Sequence, residues 1–292
     1  VVQKTNSDNG SSLEVALDPN ILDDVLLSIA QEVDRSAENA RFIFNDETRQ
    51  LEILRPSVTG RIVDMDASKV VIHDQILAGA HEIPVQVISD EPQVTDAATA
   101  QDLGITGLVH KEISYFQGST ADRVQNITAA ANEFKGVLVA PGETFSMASM
   151  LGDISLENGY AEALIIYGGR TIKGVGGGVC QVSTTLFRAA FFAGLPIEER
   201  HSHAYRVYYY EKTSSGGTDA NLAGLDATVY IPLVDFKFTN DTPYWLLMET
   251  YVVGESLEWK FYSTFDGRTV EMTTSGPQNI VEAPEPLFQV SD

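Results

Sequence analysis

The chain has 292 residues, 43% of them apolar, and 41 acidic against 19 basic side chains give a net charge of −22. That is enough apolar material for packed cores and more chain than one typical domain holds, so two domains are expected. The charge excludes nucleic acid as a partner and argues against docking on anionic lipid, and no apolar run is long enough to span a membrane.

The chain opens Val1-Val2 without a methionine and runs into a polar stretch over residues 5–12. It reads as a piece of something longer, with room upstream for a targeting or anchoring segment. Asp18-Pro19 predicts a helix N-terminus, and Ile21, Leu22, Val25, Leu26 and Ile29 follow at helical spacing. Residues 41–45 and 51–54 flank a polar turn and read as a hairpin. A strand at 60–64, a helix near 67–77 and a strand over 82–88 complete an α+β module over residues 1–98. His73 and His81 each have only a sequence-adjacent carboxylate, which points elsewhere on a helix or strand, so no ligand set assembles there. His110 also reads as structural. Residues 89–107 are polar, contain a proline and lack a period, which marks a boundary.

The second domain is expected over 108–274. Residues 111–116 are strand-like, and Ser119 or Thr120 caps a helix carrying Val124, Ile127, Ala131 and Phe134 on one face. A turn spans 141–146, and 163–167 reads as a buried strand ended by Gly168-Gly169. A helix is expected from about 180 to 193, with Leu186, Phe187, Ala190 and Phe191 as its core face and Gly194 as its stop. Strands are then expected at 205–210, 227–231, 236–239, 245–253, 257–262 and 269–273, and residues 275–292 form a proline-containing tail. The fold class is α+β, with a central cysteine-bearing helix on mostly antiparallel strands.

Cys180 is the only cysteine. It follows Gly176-Gly177-Gly178 at the start of that helix, where the dipole and free N–H groups favour a thiolate. A lone cysteine forms no disulfide within the chain, so it is either a buried packing thiol or a nucleophile. The glycine run and nearby histidines favour the nucleophile. A base follows at once, His201 or His203, spaced to share one face of an extended segment, with His203 preferred. Asp226 is the candidate orienter of the imidazole, although a turn role after Gly224 fits it equally well. The glycines allow close backbone approach, and N–H groups over 178–181 are candidates to hold an oxyanion. Gln181 and Ser183 cap the helix or touch substrate, and Arg200, His201 and Tyr205 complete the candidate binding residues. The glycine order fits neither a P-loop nor a dinucleotide fingerprint. Two histidines and one cysteine leave too few ligands for a metal hydrolase, so no metal and no cofactor are expected.

Six stretches in order carry a family resemblance: residues 141–146, Gly159-Tyr160, 176–186, 193–195, Glu199-Arg200 with His203, and 224–229. Together they resemble the VanW family over roughly residues 108–245, with Arg123 and Asn126-Ile127 also fitting. The first module, with residues 60–64, is more weakly similar to the peptidoglycan-binding domain that often precedes VanW domains. The resemblance implies an extracytoplasmic, cell-wall setting and peptidoglycan stem peptides or glycan as partner. It also implies L,D-transpeptidase-like acyl transfer through a thioacyl intermediate on Cys180. A non-catalytic wall-binding protein and a cysteine peptidase or amidase stay open as alternatives, and the fragment itself is expected to make no membrane contact.

Overall fold

The structure, a computed structural model, describes residues 2–7, 10–15, 19–276 and 278–281. The expected Asp18 cap and the end of the proline-containing tail lie outside the described residues. The fold class is α+β, and the chain divides into two units. One holds the described residues up to Arg41 together with Ile53–Ala98, and the other Phe42–Glu52 with the described residues from Thr99 on.

In chain order the first elements are β1 (Val2–Ser7), β2 (Gly10–Val15), α1 (Pro19–Val33), β3 (Arg41–Asn45), β4 (Gln50–Arg55), β5 (Gly60–Val63), α2 (Met65–Leu77) and β6 (Val87–Asp90). β1–β2 and β5–β6 are antiparallel pairs, and β3 pairs with β4. Leu26, Val63 and Ile72 are the buried centre of the first unit. Asp64 caps α2 by accepting from the Ala67 N–H. The strand expected over 82–88 forms only from Val87, because Pro84 has no N–H to give to a ladder.

The second unit continues with β7 (Gly107–Tyr115), α3 (Ala121–Glu133), β8 (Val137–Val139), β9 (Thr144–Ser146), α4 (Met147–Leu151), β10 (Glu162–Tyr167), β11 (Arg170–Val175), α5 (Val179–Phe192), β12 (Ile197–Glu199), β13 (Lys237–Thr239), β14 (Leu246–Val253) and β15 (Ser256–Ser263). A four-stranded antiparallel sheet of order β7-β15-β14-β8 is its backbone. The helices α3 and α5 pack against this sheet and each other. Trp259, Phe261, Phe134 and Phe238 fill the space beneath them. A three-stranded sheet, β12-β13-β9, and the separate hairpin β10–β11 flank that core. Among the described residues no helix is long and apolar enough to cross a membrane.

Three expected strands are absent. Residues 205–210 end in a 3-10 turn, Tyr208–Glu211, pinned by a two-pronged ion pair from Arg206 to the buried Glu211 (2.8 and 2.7 Å). Residues 227–231 join no ladder: helix side chains take the N–H and carbonyl of Ala227, the Thr228 N–H goes to the His201 carbonyl, and Tyr230 makes only an isolated bridge to Val234. Residues 269–273 are irregular. The segment read as a buried strand, β10, is one arm of an exposed hairpin in which Leu164 is 67% and Tyr167 53% exposed.

Candidate active site

Helix α5 begins where the glycine run ends, and the glycines are there for space. A Cβ on Gly177 would sit 2.5 Å from the Leu164 carbonyl oxygen, and one on Gly178 would sit 2.9 Å from the Arg123 carbonyl oxygen. Gly178, at φ +122°, is the residue before the helix. Asn126, fully buried on α3, pins this loop: its Nδ2 donates to the carbonyls of Gly177 (2.9 Å) and Ala161 (3.0 Å). Cys180, half-buried, thus stands in the first turn of α5.

One face of α5 carries both the thiol and the device that brings its partners. Residues 180, 184 and 188 are four apart, so they stack along one stripe. The hydroxyls of Ser183 and Thr184 donate to the Ala227 carbonyl (2.6 and 3.2 Å), and the Ala227 N–H donates back to Thr184 (3.2 Å). Arg188, 1% exposed, donates from Nε to the Leu225 carbonyl at 2.6 Å. These bonds replace a sheet ladder for residues 225–229. They place Thr228 Oγ1 3.5 Å and the Val229 carbonyl oxygen 3.8 Å from the sulfur. The Thr228 N–H donates to the His201 carbonyl (2.9 Å), which draws residues 201–203 alongside.

His203 is the histidine that reaches the site. Its side chain is 2% exposed, and Nδ1 lies 2.5 Å from Asp226 Oδ2. Burial pulls the imidazole pKa down, but hydrogen bonding to Asp226 and Cys180, which favours the protonated ring, overcomes it and pushes it up to about 9. Burial likewise pushes the thiol up, and the hydrogen bond and charge of His203 outweigh it, so Cys180 sits below its ordinary value. Burial raises the Asp226 carboxyl too, and its bonds to His203 with the nearby Arg200 charge hold it low. The three groups favour a thiolate, an imidazolium and a carboxylate in a row.

The other candidates divide. Gly176, Gly177 and Gly178 line a cleft of about 670 Å³ together with Cys180 and His203. Gln181 does not face it. Fully buried, it accepts from Arg123 Nη2 (2.8 Å) and donates to Ser114 (2.8 Å), tying α5 to α3 and β7. Ser183 serves the Ala227 clamp rather than the cleft. Arg200 holds Asp226 and the Gly224 carbonyl while its guanidinium lies 5.2 Å over the Phe187 ring. His201 pairs outside the cleft with Glu199 at 3.1 Å, and Tyr205 meets Thr171 at 2.6 Å. Of the four N–H groups over 178–181, those of Val179 and Gln181 are taken by the carbonyls of Gly176 and Gly178.

Sequence reasoning missed Thr228 and the role of Tyr210. Tyr210 is buried in the 3-10 turn with its hydroxyl 3.4 Å from His203 Nε2. Its ring centroid lies 5.2 Å from the imidazole.

Two family descriptions match separate stretches of the chain. Residues 122–262 match the family described as "VanW like protein", and residues 1–84 match "Putative peptidoglycan binding domain". The chain is 37% identical over 152 residues to the uncharacterized protein YoaR of Bacillus subtilis (strain 168), covering 52% of this chain and 46% of that protein. It is 30% identical over 121 residues to the Vancomycin B-type resistance protein VanW of Enterococcus faecalis (strain ATCC 700802 / V583), covering 41% of this chain and 42% of that protein. The chain thus spans less than half the length of the curated relatives it matches. No solved structure matches it.

Proposed function

We propose that this chain, whose residues 122–262 are a VanW-family domain, is a cell-wall-associated cysteine acyltransferase acting on peptidoglycan stem peptides. The family matches support the wall association. The observation that carries the chemistry is that Cys180 and His203, from separate segments, line one cleft while Asp226 holds Nδ1 of that histidine from behind.

The thiolate of Cys180 attacks a stem-peptide carbonyl carbon, and a C–S bond forms as the carbonyl π pair moves to oxygen. The N–H groups of Gly178 and Cys180 are the candidates to hold that oxyanion, a contact worth roughly 3 kcal/mol per donor in a dry site. His203, oriented by Asp226, gives its Nε2 proton to the leaving amine as the C–N bond breaks, leaving a thioester. An incoming amine attacks that thioester, His203 takes its proton, and the electron pair of the breaking C–S bond returns to sulfur. Water in place of the amine makes the same site a peptidase or amidase.

Intact-mass analysis of the protein incubated with defined muropeptides tests this. An acyl adduct on wild type that is absent from Cys180→Ser, followed by a cross-linked product, supports transfer, and a free acid supports hydrolysis. No adduct with any stem peptide, while the thiol alkylates rapidly, defeats the enzymatic reading in favour of a binding protein.

A further inference from the structure

The cleft over Cys180 has a charge pattern that the acyl-transfer reading does not use. Among the described residues that line it there is no lysine and no arginine, and its single fixed charge beyond the Cys180–His203 pair is the carboxylate of Asp153. The nearby cations are committed elsewhere. Arg123 bonds Ser119 and Gln181 and lies over the Tyr209 ring. Arg200 holds Asp226, and Lys173 pairs with Glu162 at 2.8 Å. Arg170, opposite Tyr167 at the hairpin tip, is not among the lining residues. The His203 imidazolium already has two anionic partners, Asp226 and the thiolate. A free carboxylate entering the cleft therefore finds no cation to replace its water, and the net charge of −22 repels it from a distance.

The walls complement this pattern. Leu164 and Leu233 line the cleft yet are 67% and 77% exposed. The rings of Tyr167 and Tyr230, one from each wall, meet at 5.5 Å. This surface suits an aliphatic stem beneath an ammonium head.

We infer that the cleft selects amine-bearing cationic ligands over carboxylate-bearing ones, with Asp153 meeting the ammonium and the apolar walls its methylene stem. Resting on the acyl-transfer reading, this makes the acyl acceptor a primary amine on an aliphatic side chain. The ammonium loses one proton to water on leaving Asp153. The amine lone pair then forms the C–N bond, the C–S bond breaks with its electrons returning to Cys180, and the second proton passes to His203 Nε2.

The lone cysteine makes a direct test available, because a thiol-directed probe reports on one site. Cationic trimethylammonium-ethyl and anionic sulfonato-ethyl methanethiosulfonates are timed against Cys180, with rates normalised to a free cysteine peptide. The expected cation-to-anion ratio at low salt is at least ~10-fold above the free thiol, and it shrinks as salt rises. Asp153→Asn, at an exposed position, lowers the ratio several-fold. Leu233→Arg, which puts a cation on the wall, lowers it further or inverts it. A ratio equal to that of the free thiol, or one indifferent to Asp153→Asn, overturns the inference. These probes need no acyl transfer. A protein that discriminates between them yet forms no muropeptide adduct keeps its amine-selective cleft and loses only the assignment of the amine as acyl acceptor.

Discussion

One carboxylate oxygen, Oδ2 of Asp226, faces two nitrogens of the same residue, His203: the backbone N–H donates to it at 2.9 Å, and ring Nδ1 lies at 2.5 Å. That double hold fixes the segment and the imidazole together and keeps Nδ1 on the carboxylate, so that Nε2, 3.4 Å from the Tyr210 hydroxyl, is the nitrogen turned away from Asp226. In Asp226→Asn the amide keeps one acceptor and loses the charge that supports the imidazolium. Alkylation of Cys180 by iodoacetamide at neutral pH is expected to slow at least ~10-fold while the fold persists by circular dichroism. An unchanged rate means that the Asp226–His203 pair is structural only.

The pH profile of alkylation follows from opposing influences on the thiol. Burial raises it and His203 lowers it, with His203 winning in the wild type. The wild-type midpoint is therefore expected below the ordinary ~8.5 of a free cysteine. His203→Ala leaves the burial and removes the counterweight, so its midpoint moves to ~8.5 or above. In the wild type a second inflection is expected near pH 9, where His203 loses its proton. Alkylation rises through it, because an unpaired thiolate is the better nucleophile. Acyl transfer falls through it, because the leaving amine needs that proton.

Thr184 is fully buried and exchanges two hydrogen bonds with the backbone of Ala227. Thr184→Val keeps the shape and strands the Ala227 N–H, at a cost of about 1–3 kcal/mol in urea unfolding. Thr184→Ser restores most of it. The rate at Cys180 should track the same order, since the clamp positions Thr228 and Asp226. A Val variant with wild-type stability and reactivity removes the clamp from the account.

Beneath α5, burial pushes the Glu112 carboxyl up to about 7 in spite of the opposing charge of Arg188. A carboxyl whose folded pKa exceeds its unfolded ~4.3 stabilises the fold fully below that unfolded value, and the contribution is lost as pH rises through about 7. Glu112→Gln is expected to flatten the fall in unfolding free energy between pH 5 and pH 8, a change on the order of 2 kcal/mol. Equal pH slopes in the two proteins count against a protonated Glu112.

The cysteine helix was legible because a glycine run, an apolar period and a stop glycine all mark its ends. His203 was legible as a base, but the reason given for it fails. Residues 201–203 are not a strand, so His201 does not share its face: its side chain is 51% exposed beside Glu199, while that of His203 is 2% exposed. Two features left no sequence signal. The clamp from Ser183, Thr184 and Arg188 to residues 225–227 joins side chains to backbone across some forty residues, and such bonds have no period. The tyrosine run 208–210 has strand propensity, which the Arg206–Glu211 pair overrides locally. Gln181 sits beside the nucleophile in sequence, but consecutive helix residues point about 100° apart, so Gln181 faces the core while Cys180 faces the cleft.

Because α5 carries the nucleophile and also grips the segment that delivers Asp226, the reactive state exists only once tertiary structure is complete. An unfolded chain holds an ordinary cysteine, a distant histidine and no reason for either to shift its proton. Such a chain can travel, or wait, without a thiol primed to acylate its neighbours. Acquiring the reactivity and acquiring the native fold are then one event, so the half-time of refolding from urea and the half-time for the return of rapid Cys180 labelling should coincide.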